Sequence, residues 1–496
     1  MSTASQDPVR RVAMPREMPG VLPWMAAALL ALLLWAPAAR PAAPPPASPA
    51  PTDTIRLTLQ QAVARALGSS NEMIAAEAGI GVAEGRVKEV MAEVLPQITG
   101  TASYNRKLDS IYRGIADGDT SGLGGIFADS PFGAANTWTF DVTASQLLWS
   151  GGRVGAGLSA AKAVRRAARS DRDQTGSDVS LVVQAAYWDA LYTREVQRIA
   201  ENTLRQARDR VKQSELFQKQ GIRSEYDLLQ AQVDAANQQP AVVAAMAAAR
   251  VSLLQLRRTL NLPLSQPLVL ESSLRFQDST ILVPEGPTTD VSARPALLSA
   301  QAVVDAREAV VRVEKAGRWP NLVASAYMSH QAFPPSGAPA SEDFLRSMDA
   351  TLKLEWPLFQ GFRTFGAVQR ASNELRQAQA QRDAMQLTAE LELAQSQLAV
   401  QEAIATLAAR RGTAKLAERA HHLADVRWRN GMGTPLEVSD ALLRMQDSQV
   451  REVLALKEYR LSLARLERAA GRPVPLISRH FDEFSFDSIV QEDSKP

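Results

Sequence analysis

The sequence predicts a mainly α protein with a β-barrel part, built from duplicated long α-helical hairpins and four membrane-length β-strands per chain. Three observations predict it. The chain contains itself twice. Four stretches alternate apolar and polar residues with a period of two, and each copy carries a run of roughly 65 residues at helical period.

The repeat sets the order of the elements. Residues 148–263 fall on 358–473 at an offset of 210 without a gap. Leu148, Gly151 and Arg153 meet Leu358, Gly361 and Arg363; Gly221 meets Gly431. Arg250, Ser252, Leu253, Leu256, Arg258 and Pro263 meet identical residues at Arg460, Ser462, Leu463, Leu466, Arg468 and Pro473. Pro96 and Ala102 meet Pro320 and Ala326 at an offset of 224, so an insertion of 14 residues lies between Tyr104 and Trp138. A repeat this long makes two structural halves rather than a solenoid of short units.

The first 38 residues read as a secretory signal: Arg10, Arg11 and Arg16, an apolar run from Met25 to Ala36, then Ala36-Pro37-Ala38 at the cleavage site. A Pro/Ala-rich linker covers 39–54. The first repeat is 55–263, a connector runs 264–290, the second repeat is 291–473, and an acidic tail covers 474–496. Helices are expected at Leu57–Leu67 and Asn71–Val94, ended by Pro96. Alternation follows at Ile98–Tyr104, then a long Gly/Asp/Ser-rich loop over 105–136. Trp138, Phe140, Val142 and Ala144 share one strand face; Leu322–Met328 and Met348–Trp356 repeat the pattern. Strands of about ten residues have the length that crosses a membrane when tilted. No other strands are evident to cover them, and open edges cannot exist in lipid, so the membrane reading demands several chains.

Long helices follow. Leu181, Ala185, Trp188, Tyr192 and Ile199 mark a stripe in the first, and Leu387, Leu391, Ala394 and Leu398 one in its duplicate. At 1.5 Å per residue each spans roughly 100 Å. Gly221, and Gly431 with Gly433, break them, and return helices run over about 224–260 and 434–470. Gly176 and Pro240 are expected to kink or weaken the first pair.

Composition narrows the function. Lys+Arg number 55 against Asp+Glu 53, a net charge of +2, which argues against a nucleic-acid partner. There is no cysteine, so disulfides, thiolate chemistry and a lipidated N-terminal cysteine are excluded. Only four histidines are available for a metal. His421-His422 point in different directions on a helix and read as surface. Metal and cofactor are both read as none. No nucleophile–base set or phosphate loop stands out, so no enzyme is expected.

The duplicated Leu95-Pro96 and Trp319-Pro320, the junctions Leu148-Trp149-Ser150-Gly151-Gly152 and Leu358-Phe359-Gln360-Gly361, and the paired ends Gly221…Asp227 and Gly431…Asp440 carry a resemblance. The chain resembles the TolC-like outer-membrane efflux proteins (outer membrane factors) over about 55–473. The resemblance implies a homotrimer, with a 12-stranded barrel in the outer membrane of a Gram-negative bacterium continued by a periplasmic α-barrel. It implies a periplasmic adaptor protein and, through it, an inner-membrane pump, in an efflux or type I secretion system. The duct itself would be passive.

Ser224-Glu225-Tyr226-Asp227 and Thr434-Pro435-Leu436-Glu437 fit the helix-capping pattern. By resemblance, Asp227, Trp428, Glu437 and Asp440 belong to the periplasmic aperture, where acids from several chains would favour cations. Gly433 and Trp428 stand where relatives with a gating lock have arginine and tyrosine, and the sequence leaves open whether Arg223 substitutes. Gly221, Ile222, Arg223, Ser224, Gly431, Met432, Gly433 and Thr434 are the expected adaptor-docking residues. Asp141, Lys353 and Glu355 are expected to face the barrel lumen. The rival reading is the periplasmic adaptor itself, which would carry one hairpin between β-domains; this chain carries two. Drugs, metal ions, metabolites and proteins all remain open as cargo.

Overall fold

The computed structural model describes residues 54–108, 134–274, 280–285, 290–334 and 337–480. The expected signal, most of the linker, most of the 105–136 loop and the tail beyond residue 480 lie outside these. The elements in order are β1 (Ile55–Leu57), α1 (Leu59–Ser69), α2 (Asn71–Ala92), β2 (Gln97–Arg106), β3 (Asn136–Trp149), α3 (Arg153–Lys219) and α4 (Glu225–Thr259). There follow β4 (Leu268–Leu270), β5 (Thr280–Pro284), α5 (Pro295–Ala316), β6 (Asn321–Ala332), β7 (Leu345–Glu355), α6 (Arg363–Arg429), α7 (Pro435–Ala470) and β8 (Leu476–His480).

The duplication is plain in the helices. α3 and α6 are each 67 residues long and begin at the paired Arg153 and Arg363. The helices run without a break through Gly176 in α3 and Pro240 in α4, the two positions where a local kink or weakening is expected. Gly176 faces α1 and α2: a Cβ there would lie 3.7 Å from Leu67 Cδ2 and 3.9 Å from Met73 Sδ, ordinary contact distances.

The chain divides into two compact units. One holds the greater part of the four-stranded sheet, ordered β2-β3-β6-β7. β2 and β3 pair antiparallel, from Gln97 opposite Ser145 to Arg106 opposite Asn136. Buried Ser329 on β6 donates to Asp141 on β3 at 2.6 Å, and Asn136 donates to the Pro334 carbonyl at 3.3 Å. β2 and β7 form the two edges, and every residue of both is exposed.

The other unit holds the helices and two small sheets that the sequence reading did not foresee. β1 pairs parallel with β4, and β5 antiparallel with β8. A buried tyrosine ties each sheet to the helices. Tyr187 of α3 donates to the Leu57 carbonyl at 3.1 Å, and Tyr459 of α7 to the Leu282 carbonyl at 2.6 Å. Short strands of three to five residues leave almost no periodic signal, which is why four of the eight described strands escaped notice.

The helical core corrects two stripes. In α3 the buried positions include Val179, Val183, Tyr187, Ala190 and Leu191; of the expected stripe Ile199 is buried, while Leu181, Ala185, Trp188 and Tyr192 are half-buried. α3 is surrounded by α1, α2, α4, α5 and α7, so its faces compete for the interior. In α6 the buried positions include Ala389, Leu393, Val400, Ile404 and Leu407. The expected stripe of Leu387, Leu391, Ala394 and Leu398 lies on the exposed side.

Candidate functional site at the hairpin ends

Each long helix ends in the same turn. Gly221 (φ 71°) and Gly431 (φ 77°) adopt the left-handed conformation that only glycine takes without strain. Ile222 N–H then bonds back to the Phe217 carbonyl, and Met432 N–H to the Arg427 carbonyl, both at 2.9 Å. The return helices start on hydroxyl caps. Ser224 Oγ accepts from Asp227 N–H at 3.3 Å, and Thr434 Oγ1 from Glu437 N–H at 3.3 Å.

The two caps differ in what the acid does. The Asp227 carboxylate accepts from Ser224 N–H at 3.4 Å, completing a capping box. The Glu437 carboxylate makes no such bond and has no hydrogen-bond or ion-pair partner among the described residues. Asp440 pairs with Arg444 one turn along at 3.0 Å, both side chains more than half exposed. The three acids are therefore unequal: Asp227 is engaged by backbone, Asp440 is balanced by a cation, and Glu437 presents an uncompensated charge.

Trp428 is 1% exposed and meets Phe217 edge-to-face at 5.6 Å. Its place is inside the hairpin end, which corrects the expectation that it lines an aperture. Gly433 touches the same residue: a Cβ there would lie 3.2 Å from Trp428 N and 3.4 Å from Glu437 Oε2. The Trp428 backbone, passing close to the turn, leaves little room for a side chain at Gly433. Arg223 crosses from the first hairpin to the second. Its Nη2 donates to the Trp428 carbonyl at 3.4 Å and the Gly433 carbonyl at 3.3 Å. Of the expected docking residues, Gly221, Ile222, Ser224, Gly431, Met432 and Thr434 are exposed, while Arg223 and Gly433 are half-buried.

A buried polar knot joins the four long helices close by, and sequence reasoning missed it. Arg210 of α3 is 6% exposed, with Nη2 3.7 Å from Asp234 of α4 and Nη1 donating to the Pro435 carbonyl at 3.4 Å. Ser439 of α7 donates to the same Asp234 at 2.6 Å. Burial pushes the Arg210 guanidinium below its ordinary pKa, against the pull of Asp234 and Asp425. Half-buried His421 of α6 is held below its ordinary pKa, first by burial, with Asp425 opposing and Arg210 and His422 adding. His421 is thus part of this interior, a correction to its reading as plain surface. One signal could have found Arg210: it falls on the stripe Thr203, Ala207, Arg210, Ser214, all of them buried.

The sequence profile described as outer membrane efflux protein matches residues 62–262 and 291–472. The chain belongs to that family. Its two matched stretches lie within the two repeats read from the sequence. Membership places the chain in the outer membrane, extending into the periplasm. Family members are channels rather than enzymes. The chain is 26% identical over 425 residues to the pyoverdine export outer membrane protein OpmQ of Pseudomonas aeruginosa, with 83% of each chain covered. It shares the fold of the outer membrane protein VceC of Vibrio cholerae, with a TM-score of 0.65, 19% identity, and 84% of this chain and 96% of that one covered. It shares it also with CusC, with a TM-score of 0.69, 16% identity, and coverage of 87% and 98%.

Proposed function

We propose that this efflux-family member is the passive outer-membrane exit duct of a tripartite export system, assembled as a homotrimer. The observation that carries the reading is the four-stranded sheet with two bare edges. Every residue of β2 and β7 is exposed, and strands of 10 and 11 residues are long enough to span. Lipid leaves no partner for an open edge, so β7 of one copy must meet β2 of the next. Three copies of four strands close at twelve. The exposed stripe Leu387, Leu391, Ala394 and Leu398 supplies the matching helical seam between copies.

In this reading Asp141, Lys353 and Glu355 face the lumen, because lipid does not tolerate charge mid-strand. The ends with Ile222 and Met432, both more than 60% exposed, meet the periplasmic adaptor, which links the duct to an inner-membrane pump. Glu437, with Asp440 and Asp227 beside it, forms the acidic constriction.

The test is planar-bilayer conductance of the purified protein, with Glu437→Ala and Asp440→Ala singly and together. Small cation-selective openings, whose selectivity falls chiefly with Glu437→Ala, support the duct and rank the acids. Selectivity unchanged in the double variant returns both acids to helix starting. Absence of any conductance refutes the duct.

A further inference from the structure

The two strand-to-helix junctions are copies of one sequence, yet the second has gained a set of side chains. At the offset of 210, Gln146, Gly152 and Gly155 meet Trp356, Phe362 and Phe365; at 224, Val94 meets Arg318. Together with Phe359 and Arg363, the gained residues line a cleft of about 310 Å³. That lies at the small end of ligand pockets, roughly 300–1,000 Å³, and suits a headgroup better than a whole lipid.

Phe362 shows that the set is maintained against a cost. Its φ is 63°, where the first copy has Gly152 at 84°. A phenylalanine in the left-handed region is strained. Burial within the chain does not offset this, because the ring is 77% exposed and meets Phe359 edge-to-face at 5.8 Å. Trp356, Phe359 and Phe365 are also mostly exposed, at 58%, 77% and 63%. The Trp356 indole is aimed by its Nε1–H, which donates to the Arg318 carbonyl at 3.3 Å. Neither Arg318 nor Arg363 has an acidic partner among the described residues. The cleft begins at the residue after β7, which ends at Glu355. In an outer-membrane protein that is the lipid–water boundary, where exposed aromatic rings are stable.

We propose that this cleft binds an anionic phospholipid of the outer membrane. Its phosphate sits between the Arg318 and Arg363 guanidiniums, and the start of an acyl chain lies on Trp356, Phe359, Phe362 and Phe365. Unpaired guanidiniums match a phosphate in charge and in donor geometry. The rings give the apolar contact that a free phosphate could not use.

The inference rests on β7 spanning the membrane, and the test reads lipid rather than current. The full-length assembly is taken from nanodiscs of equal phosphatidylglycerol and phosphatidylethanolamine into native mass spectrometry. The wild type is expected to retain the anionic lipid roughly tenfold over the zwitterionic one, since each arginine near a surface favours negative lipid. Arg318→Gln with Arg363→Gln equalises the two. Phe362→Gly restores the first copy's residue and relieves the backbone, so it assembles at least as well while losing retention several-fold. Equal retention by the wild type overturns the site. So does a Phe362→Gly assembly that falls apart with lipid retention unchanged, which makes the ring a contact between copies. Lost lipid preference with intact conductance refutes the site alone; intact preference without conductance refutes the duct alone.

Discussion

Arg210 is a full charge in an alanine-rich interior, and its neighbours explain how it stays there. Asp234 balances it, while the Pro435 carbonyl takes one of its N–H groups. Removing one partner of a buried pair costs far more than removing both. Arg210→Met should lower unfolding free energy in detergent by about 3 kcal/mol, with Arg210→Met/Asp234→Leu within about 1 kcal/mol of wild type. A double variant as weak as the single would refute the pairing. His421 gives a pH signature. Its folded pKa lies below the unfolded value of about 6.5, so on acidification the unfolded chain takes up the proton first. Stability is therefore present above pH of roughly 6.5 and is lost as pH falls toward the folded value. Thermal melts should show less loss between about pH 7 and 5 in His421→Gln than in the wild type. Parallel curves would assign the loss to other groups.

At the scale of elements, the turns and caps were legible because they are local. A glycine after the last helical residue and a hydroxyl three residues before an acid need only a short span of chain. Gly221→Ala and Gly431→Ala should each cost about 1 kcal/mol, since both φ values are positive. Equal stability of both variants would deny the strain. Exposed Pro240 in α4 makes the opposite prediction. Pro240→Ala restores a missing N–H in a continuous helix and should add about 2 kcal/mol. A loss of stability would mean that the proline is required where it stands. The polar knot was not legible, because Arg210, Asp234 and Ser439 come from three helices and no local spacing relates them. Trp428 was misplaced for the same reason: its partner Phe217 belongs to the other hairpin.

At the scale of the whole molecule, the described chain leaves unsatisfied surface of two kinds. Two strand edges lack hydrogen-bond partners, and α6 presents an apolar stripe away from its own core. The proposed trimer answers both. The absence of cysteine makes a clean test possible. Single cysteines scanned along β2 around Ala102, combined with one at Ala350 of β7, should give covalent dimers and trimers on a non-reducing gel. Cross-links that stop at dimers, or form only within a chain, would refute the closure.

The sequence by itself determined the duplication, the strand and helix periods, the turn glycines and the caps. Each of these is written in residues close together, or in a repeat of such residues, and follows from backbone geometry. Tertiary structure decided which helix face is buried, because α3 is enclosed on several sides while α6 packs mainly against α5 and α7. It decided that Trp428 is a wedge, that Glu437 alone among the three acids is uncompensated, and that Arg210 is held by two hairpins at once. Those outcomes depend on distances between segments far apart in the chain, and no local period encodes such a distance.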